Sequence, residues 1–331
     1  METKRPTNPA AEEILGGYFP VLDHGFVSLV DYMGSDDSIE RAARVSYGYG
    51  TRQTSQTRGL IRYLRRHHHT TPSEMVELKF HCAMPMFIAR QWIRHRTANV
   101  NEYSGRYSLI PLVFYTPNQD EFALQSPINN QGRSAESAST SLHQTATARW
   151  AKLRKDAAET YSWMVGEDVA REIARIDLPL STYTQWYWKI DLHNLLHFLK
   201  LRIDPHAQYE IRAYAEVMAG MVKRVAPLSY EAWIDYDVAG AALSRGELGV
   251  LRELLEATSD EIRTRANAAA LPANGMKQYD LSPREARELF AKLAPREHPD
   301  WELDMSRMRT AVEVEAEMHA AVPTIDAKPA G

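Results

Sequence analysis

Residues 76–96 change hydrophobic period in mid-course, and that change limits what the chain can fold into. Val76, Leu78, Phe80 and Cys82 alternate with Glu77, Lys79 and His81, the period of two that a strand with one buried face requires. Pro85 then opens an apolar helix, MFIARQWIRHR, that ends abruptly in charge. A half-buried strand running into a buried helix demands helix layered on sheet. Just upstream, Thr71-Pro72-Ser73-Glu74 reads as a capping box with Pro at the first helical position, a turn cut short by the strand.

The remaining segments agree with that frame. HGFVSLVDYMG, with a Gly near each end, reads as a strand. DDSIERAARVSYG reads as a helix with Ile39, Ala42, Ala43 and Ser46 on one stripe. A second helix, TSQTRGLIRYLRRHHH, turns Leu60, Ile61 and Leu64 inward and Arg58, Arg62, Arg65 and Arg66 to solvent. TANVNEYSGRYS reads as a polar loop, and residues 117–141 as a long polar excursion. A helix is expected over 142–164 with Trp150, Leu153, Ala157, Tyr161 and Met164 in phase, and a shorter one up to Pro179. TYTQWYWKI, aromatic and β-branched, reads as a strand whose Trp186 and Trp188 point into the core.

Asp191 is placed to cap LHNLLHFLKLR, which carries a buried stripe of Leu192, Leu195, Leu196 and Leu199. Asp204-Pro205 is expected to start a further helix with Ile211, Ala215, Met218 and Val222 inward. The fold class expected is α+β, a mixed or antiparallel sheet flanked by helices. Residues 1–20 read as a flexible arm, 21–238 as one catalytic domain, and 239–331 as a mainly helical extension with a disordered tail. The extension includes SRGELGVLRELLEA and SPREARELFAKLA, and is expected to pack outside or to extend an oligomer interface.

A net charge of −4 disfavours a dedicated nucleic-acid binder, so any anion must be held by local Arg and His clusters. The single cysteine, Cys82, excludes an intrachain disulfide. The first residues lack the apolar run of a signal peptide, and no apolar stretch is long enough to span a bilayer, so a cytoplasmic protein is expected.

The densest chemical constellation is Gln91-Trp92-Ile93-Arg94-His95-Arg96 followed by Asn101-Glu102-Tyr103-Ser104-Gly105-Arg106. Arginine offers bidentate donors to phosphate, and a Gly-containing loop brings backbone N–H groups close. A solvated basic helix end would look similar, but Trp92 and Ile93 draw this segment towards the core, where a cation needs an anionic partner.

Arg94-His95-Arg96, Asn99, Asn101 and Glu102 through Arg106 resemble the signature of the flavin-dependent thymidylate synthases, R-H-R-x-x-S-x-N-x-x-S-x-R. Asn99 departs from it, standing where the family has serine. Further segments resemble the family in the same order, among them HHHTTPSEM, FHCAMPMFIARQWIRHR, ARIDLPLSTYTQWYWKIDLHNLLHFLKLR and DPHAQYEIRAYA, spanning about Asp23 to Asp235. The resemblance implies an FAD enzyme that methylates dUMP to dTMP, with methylenetetrahydrofolate as carbon donor and NADPH as reductant. It also implies a homotetramer whose active sites are shared between subunits.

Carried over, the resemblance implies that Thr71, Arg94, His95, Arg96, Glu102, Asp191, Leu192, His193 and His197 contact FAD. It implies that Gln91, Trp92, Ile93, Arg94, Glu102, Tyr103, Ser104, Gly105, Arg106, Arg175 and Arg202 hold dUMP, with Arg202 the catalytic, ring-activating residue. A guanidinium suits that task because it stabilises negative charge without titrating.

His193 and His197 have the i, i+4 spacing of metal ligands, but no third ligand stands nearby, so no metal is expected. Of the His67-His68-His69 run, His69 is the member expected to approach the flavin; the alternative is a solvent-facing helix end. Independently of the resemblance, Cys82 alternates with apolar residues, the position of an inert thiol, which argues against a thiolate mechanism. No G-x-G-x-x-G follows a strand, so a flavin would be held by another architecture. Two other readings remain: a non-catalytic nucleotide- or RNA-binding protein, with Trp92 and Tyr103 stacking on bases, and a flavin-dependent methylase of uracil in RNA.

Overall fold

The computed structural model describes residues 6–45, 57–127, 132–256 and 300–324. Seven strands lie among them: β1 (Tyr18–Val21), β2 (Gly25–Met33), β3 (Glu77–Pro85), β4 (Asn99–Glu102), β5 (Ala123–Gln125), β6 (Arg133–Ser137) and β7 (Tyr183–Asp191). Five form the main sheet in the order β1-β2-β3-β7-β4, every neighbouring pair antiparallel. With helices flanking it, this is the expected α+β class.

The alternation on β3 does what its period dictates. Leu78, Phe80 and Cys82 are fully buried, while Glu77, Lys79 and His81 face the other side. The register sets Leu78 opposite Ile190, Phe80 opposite Trp188 and Cys82 opposite Trp186, so both tryptophans are core residues. β4 corrects the sequence reading of residues 97–108 as loop throughout. All four of its residues are exposed, and it joins the sheet by main-chain pairing of Asn99–Glu102 with Lys189–Trp186 and by a side-chain bond from Thr184 to Glu102. An edge strand with no buried face leaves no hydrophobic alternation to read. The excursion likewise contains the β5–β6 hairpin, and residues 128–131 lie outside the described ones.

On the buried face lie α5 (Met86–Trp92), α8 (Leu192–Arg202) and α9 (Tyr209–Val225). Trp92 is fully buried, stacked on Phe198 at 5.0 Å and edge-on to Trp186 and Trp188 at 5.4 and 5.3 Å. The Asp191 carboxylate caps α8 by accepting from Asn194 N at 2.9 Å, as expected. Each buried leucine of α8 contributes about 1.5–3 kcal/mol, so the stripe, with Phe198 added, holds the helix on the sheet.

α9 starts at Tyr209, later than the expected Asp204-Pro205, because the Asp204 carboxylate closes a local turn onto His206 N instead. α4 (Thr71–Glu74) begins one residue earlier than expected: Thr70 is its N-cap, and the expected capping box is absent.

The short helices α2 (Asp36–Val45) and α3 (Thr57–Arg66) bury Ile39, Ile61 and Leu64, with Ala42, Ala43 and Leu60 only partly covered. Ser46 and residues 54–56 lie outside the described residues. His67, His68 and His69 are exposed beyond α3, with His67 against the Tyr63 ring at 4.4 Å. α6 (Thr140–Gly166) departs from its expected stripe: Tyr161 is buried, but Leu153 is 64% exposed. Tyr161 anchors the helix by accepting from Ile110 N at 3.0 Å. α7 is a single turn, Arg171–Ala174.

The arm expected over residues 1–20 differs from the structure from residue 8 onward. Asn8 caps α1 (Pro9–Glu12) and donates to Val225 O, Ala11 and Ile14 are fully buried, and Tyr18 begins β1. Its Pro, Gly and Ala content concealed a packed segment.

The chain divides into two compact units, residues 1–231 with 301–331, and residues 232–300. In the second, α11 (Arg245–Glu256) follows α10 (Pro227–Trp233), which crosses the boundary. SPREARELFAKLA and the last seven residues lie outside the described residues. Residues 301–324, assigned from sequence to the extension, return to the first unit. Tyr18 and Arg309 exchange two backbone hydrogen bonds, at 2.9 and 2.7 Å, and Val314 of α12 (Ala311–Ala320) packs with Phe26 and Ala83. Among the described residues no helix is long and apolar enough to cross a membrane.

Candidate active site

The end of α5 and the last turn of α8 meet at a pair of side chains. Arg202 Nε donates to His95 Nε2 at 3.0 Å, and the His95 ring stands edge-on to Phe198 at 4.8 Å. A guanidinium has only donors, so the nitrogen facing it carries no proton. Burial first, then the positive charges of Arg202 and His197, push the His95 pKa down to about 4. Burial also lowers the Arg202 pKa, and no carboxylate pairs with Arg202 among the described residues. A half-buried guanidinium whose hydrogen-bond partner is a neutral ring has uncompensated charge to give to a ligand. Beside it, Gln91 on α5 donates to the amide oxygen of Gln208.

A second group forms around the signature loop. Glu102 Oε1 accepts from Thr184 Oγ1 at 2.8 Å, and Tyr103 N donates to Gln185 O at 2.8 Å, so β7 carries the loop's start. Tyr103 OH closes back onto Leu109 O, and Arg106 N donates to Ser104 Oγ. Gly105 is buried where a Cβ would lie 2.5 Å from Ile110 Cδ1 and 3.1 Å from Arg175 Cδ. A side chain there would have to displace Ile110 and would crowd the Arg175 stem. α7 fastens the same loop: Arg171 donates to Tyr107 O at 2.6 Å, and Glu172 accepts from Arg106 Nε at 3.0 Å. The bond to Glu172 uses Nε, so the terminal amino groups of Arg106 have no partner among the described residues.

A third group combines α4, on which Thr71 is exposed, with α8, against which it packs and which carries His193. His193 Nδ1 is buried without a hydrogen-bond partner. Asp191 is committed to its cap, with both oxygens taken by Asn194, and Leu192 is fully buried and donates its N–H to Val76 O. His197 is exposed on the same helix, one turn from the His95–Arg202 pair.

Arg94 and Arg96 are exposed and make no ion pair among the described residues. Trp92 is fully buried and belongs to the core, whereas Ile93 is 39% exposed beside the arginines. The Asn99 side chain makes no hydrogen bond among the described residues; its backbone pairs with Lys189. Within one chain, then, no hydrogen bond or ion pair joins the Arg202 group to the Arg106–Arg175 group among the described residues.

Sequence reading missed Thr184, Glu172 and Gln208, whose contacts depend on tertiary neighbours. The His193 nitrogen and the Arg94 and Arg96 side chains, unpaired among the described residues, fit an anionic, hydrogen-bonding cofactor such as a flavin dinucleotide.

The family described as "Thymidylate synthase complementing protein" matches residues 28–228. A flavin-dependent thymidylate synthase of Gluconobacter oxydans (strain 621H) is 53% identical over 259 residues, covering 76% of this chain and 84% of that protein. One of Wolbachia pipientis wMel is 53% identical over 257 residues, covering 77% and 89%. Among solved structures, the UMP/dUMP methylase PolB from Streptomyces cacaoi bound with 5-Br dUMP is similar, with a TM-score of 0.60 at 33% identity. The match covers 66% of this chain and 97% of that one. With the signature loop, the antiparallel sheet and these relatives in agreement, the chain belongs to the flavin-dependent thymidylate synthases and is an enzyme of that family.

Proposed function

We propose that the protein catalyses the FAD-dependent reductive methylation of dUMP to dTMP, with methylenetetrahydrofolate as carbon donor and NADPH as reductant. The observation that carries this reading is Arg202, half-buried and without a carboxylate partner among the described residues, beside a neutral histidine. Such a group stabilises negative charge developing on a uracil ring. The two arginines Arg106 and Arg175, meeting at Gly105, supply the grip on the nucleotide phosphate.

Arg94, Arg96, His193, His197 and Thr71 are the residues that would hold FAD, with Asp191 and Leu192 shaping the helix end beneath it. When bound and reduced, the flavin supplies the hydride that completes the methyl group. Cys82 takes no part: it is fully buried, and burial raises its thiol pKa well above the ordinary range, so no thiolate is available to attack uracil. By its family membership the enzyme would work as a homotetramer in which one site draws on more than one subunit. A cytoplasmic enzyme of nucleotide synthesis is the setting these roles imply.

The test is anaerobic incubation of purified protein with FAD, NADPH, methylenetetrahydrofolate and either dUMP or UMP, with products read by mass spectrometry. Formation of dTMP that stops when the flavin is stripped supports the reading. Flavin-loaded protein that methylates UMP and leaves dUMP untouched overturns the substrate assignment, and no methylated product from either overturns the reaction.

A further inference from the structure

We propose that His95 positions Arg202, taking its Nε–H on a bare Nε2 and leaving both terminal amino groups free for the substrate. The inference rests on the placement of Arg202 against uracil in the preceding reading, and adds the residue that aims it.

Three observations converge. The 3.0 Å bond runs from Nε, which occupies the side-on face of the guanidinium and leaves the end-on pair of terminal amino groups, and that pair has no partner among the described residues. The imidazole is itself fixed, edge-on to Phe198 at 4.8 Å, and Phe198 is stacked on Trp92, the buried end of the helix that leads into His95. A chain of packed rings thus sets the angle at which Arg202 leaves α8.

The third observation is the partner's charge. A carboxylate would orient an arginine equally well but would cancel the charge that the substrate is to feel. A neutral imidazole orients without cancelling. The positive groups that oppose its protonation are Arg202 and His197 from α8, while Arg94 and Arg96 flank it in sequence and are exposed. The proton of the neutral ring must therefore sit on Nδ1, which gives His95 one remaining donor for a cofactor acceptor.

The experiment compares His95→Gln, whose amide oxygen can still accept from Arg202, with His95→Leu, which cannot. Turnover, dUMP KM and flavin content are measured at saturating FAD. His95→Leu is expected to lose about 10- to 100-fold in kcat with a smaller change in KM. His95→Gln is expected to recover most of that loss.

Equal impairment of the two variants, or undiminished kcat in His95→Leu, overturns the proposal. A second readout needs neither turnover nor a stable variant as its subject: 15N NMR of histidine-labelled wild-type protein at pH 7, with His95→Gln used for assignment. The expected state is the neutral Nδ1–H tautomer; a proton on Nε2, in either the other tautomer or the imidazolium, overturns the pairing. If wild-type protein makes no dTMP, the reaction reading falls, and the NMR result still decides the pairing.

Discussion

Arg202 and Arg106 are the same side chain in two different settings. Arg202 leaves the last turn of a buried helix, is half-covered, and bonds to a neutral ring. Arg106 sits on an exposed loop, 57% accessible, with its Nε on the carboxylate of Glu172. Surface screening makes the second pair worth little, whereas desolvation strengthens whatever the first one touches. The contrast separates two tasks. Arg106 suits an anchor for charge that is present throughout, and Arg202 suits a partner for charge that appears only during reaction.

The sharpest break of that contrast is Arg202→Ala. Loss of one preorganised charge donor lowers kcat by about 10²–10³-fold or more, with flavin still bound. Near-normal dTMP formation would remove Arg202 from the catalytic role. Arg106→Ala is expected to act on binding instead, raising the dUMP KM by about 10- to 100-fold with kcat moved far less. A pure kcat effect would mean the two arginines share one task.

The two regions also differ in how they respond to acid. The folded chain protonates His95 only near pH 4, against 6.5 as its ordinary value, so the unfolded chain takes up that proton first. His95 therefore costs no stability above about pH 6.5, and stability drains away as pH falls from there towards 4. Melting curves at pH 7 and pH 5 should show a steeper loss in wild type than in His95→Gln; parallel losses would mean that the ring is accessible to protons. The smallest effect belongs to Glu172→Gln. An exposed pair contributes about 0–1 kcal/mol, so both melting temperature and dUMP KM should move little. A tenfold rise in KM would show that Glu172 sets the aim of Arg106.

The same division between buried and exposed decides what could be read from sequence. β3, β7 and α8 were legible because Phe80, Trp186, Trp188 and Leu195 are fixed by burial, and burial imposes a period. β4 was not, since Asn99–Glu102 bury no side chain and owe their strand to β7. Leu153 fell on the predicted stripe of α6, yet most of that helix meets no core in this chain. At the site, Arg94–Arg96 and Arg106 announced themselves as a cluster, but Arg202 was assigned only through family resemblance. Glu172 and Thr184 gave no signal, because an isolated acid or hydroxyl acquires meaning only from what the fold sets beside it.

The antiparallel bridge between Tyr18 and Arg309 has a consequence for how the protein fares in a crowded cell. β1 is an outer strand, and unprotected outer strands recruit other chains into unintended sheets. Here a segment almost three hundred residues downstream lies across that border, fastened by two backbone bonds, while α12 lays Val314 over Phe26. During synthesis that cover arrives after every strand of the main sheet. Until Arg309 has emerged, the nascent chain carries an open border, and a transcript truncated before it would yield a product whose main hazard is clumping.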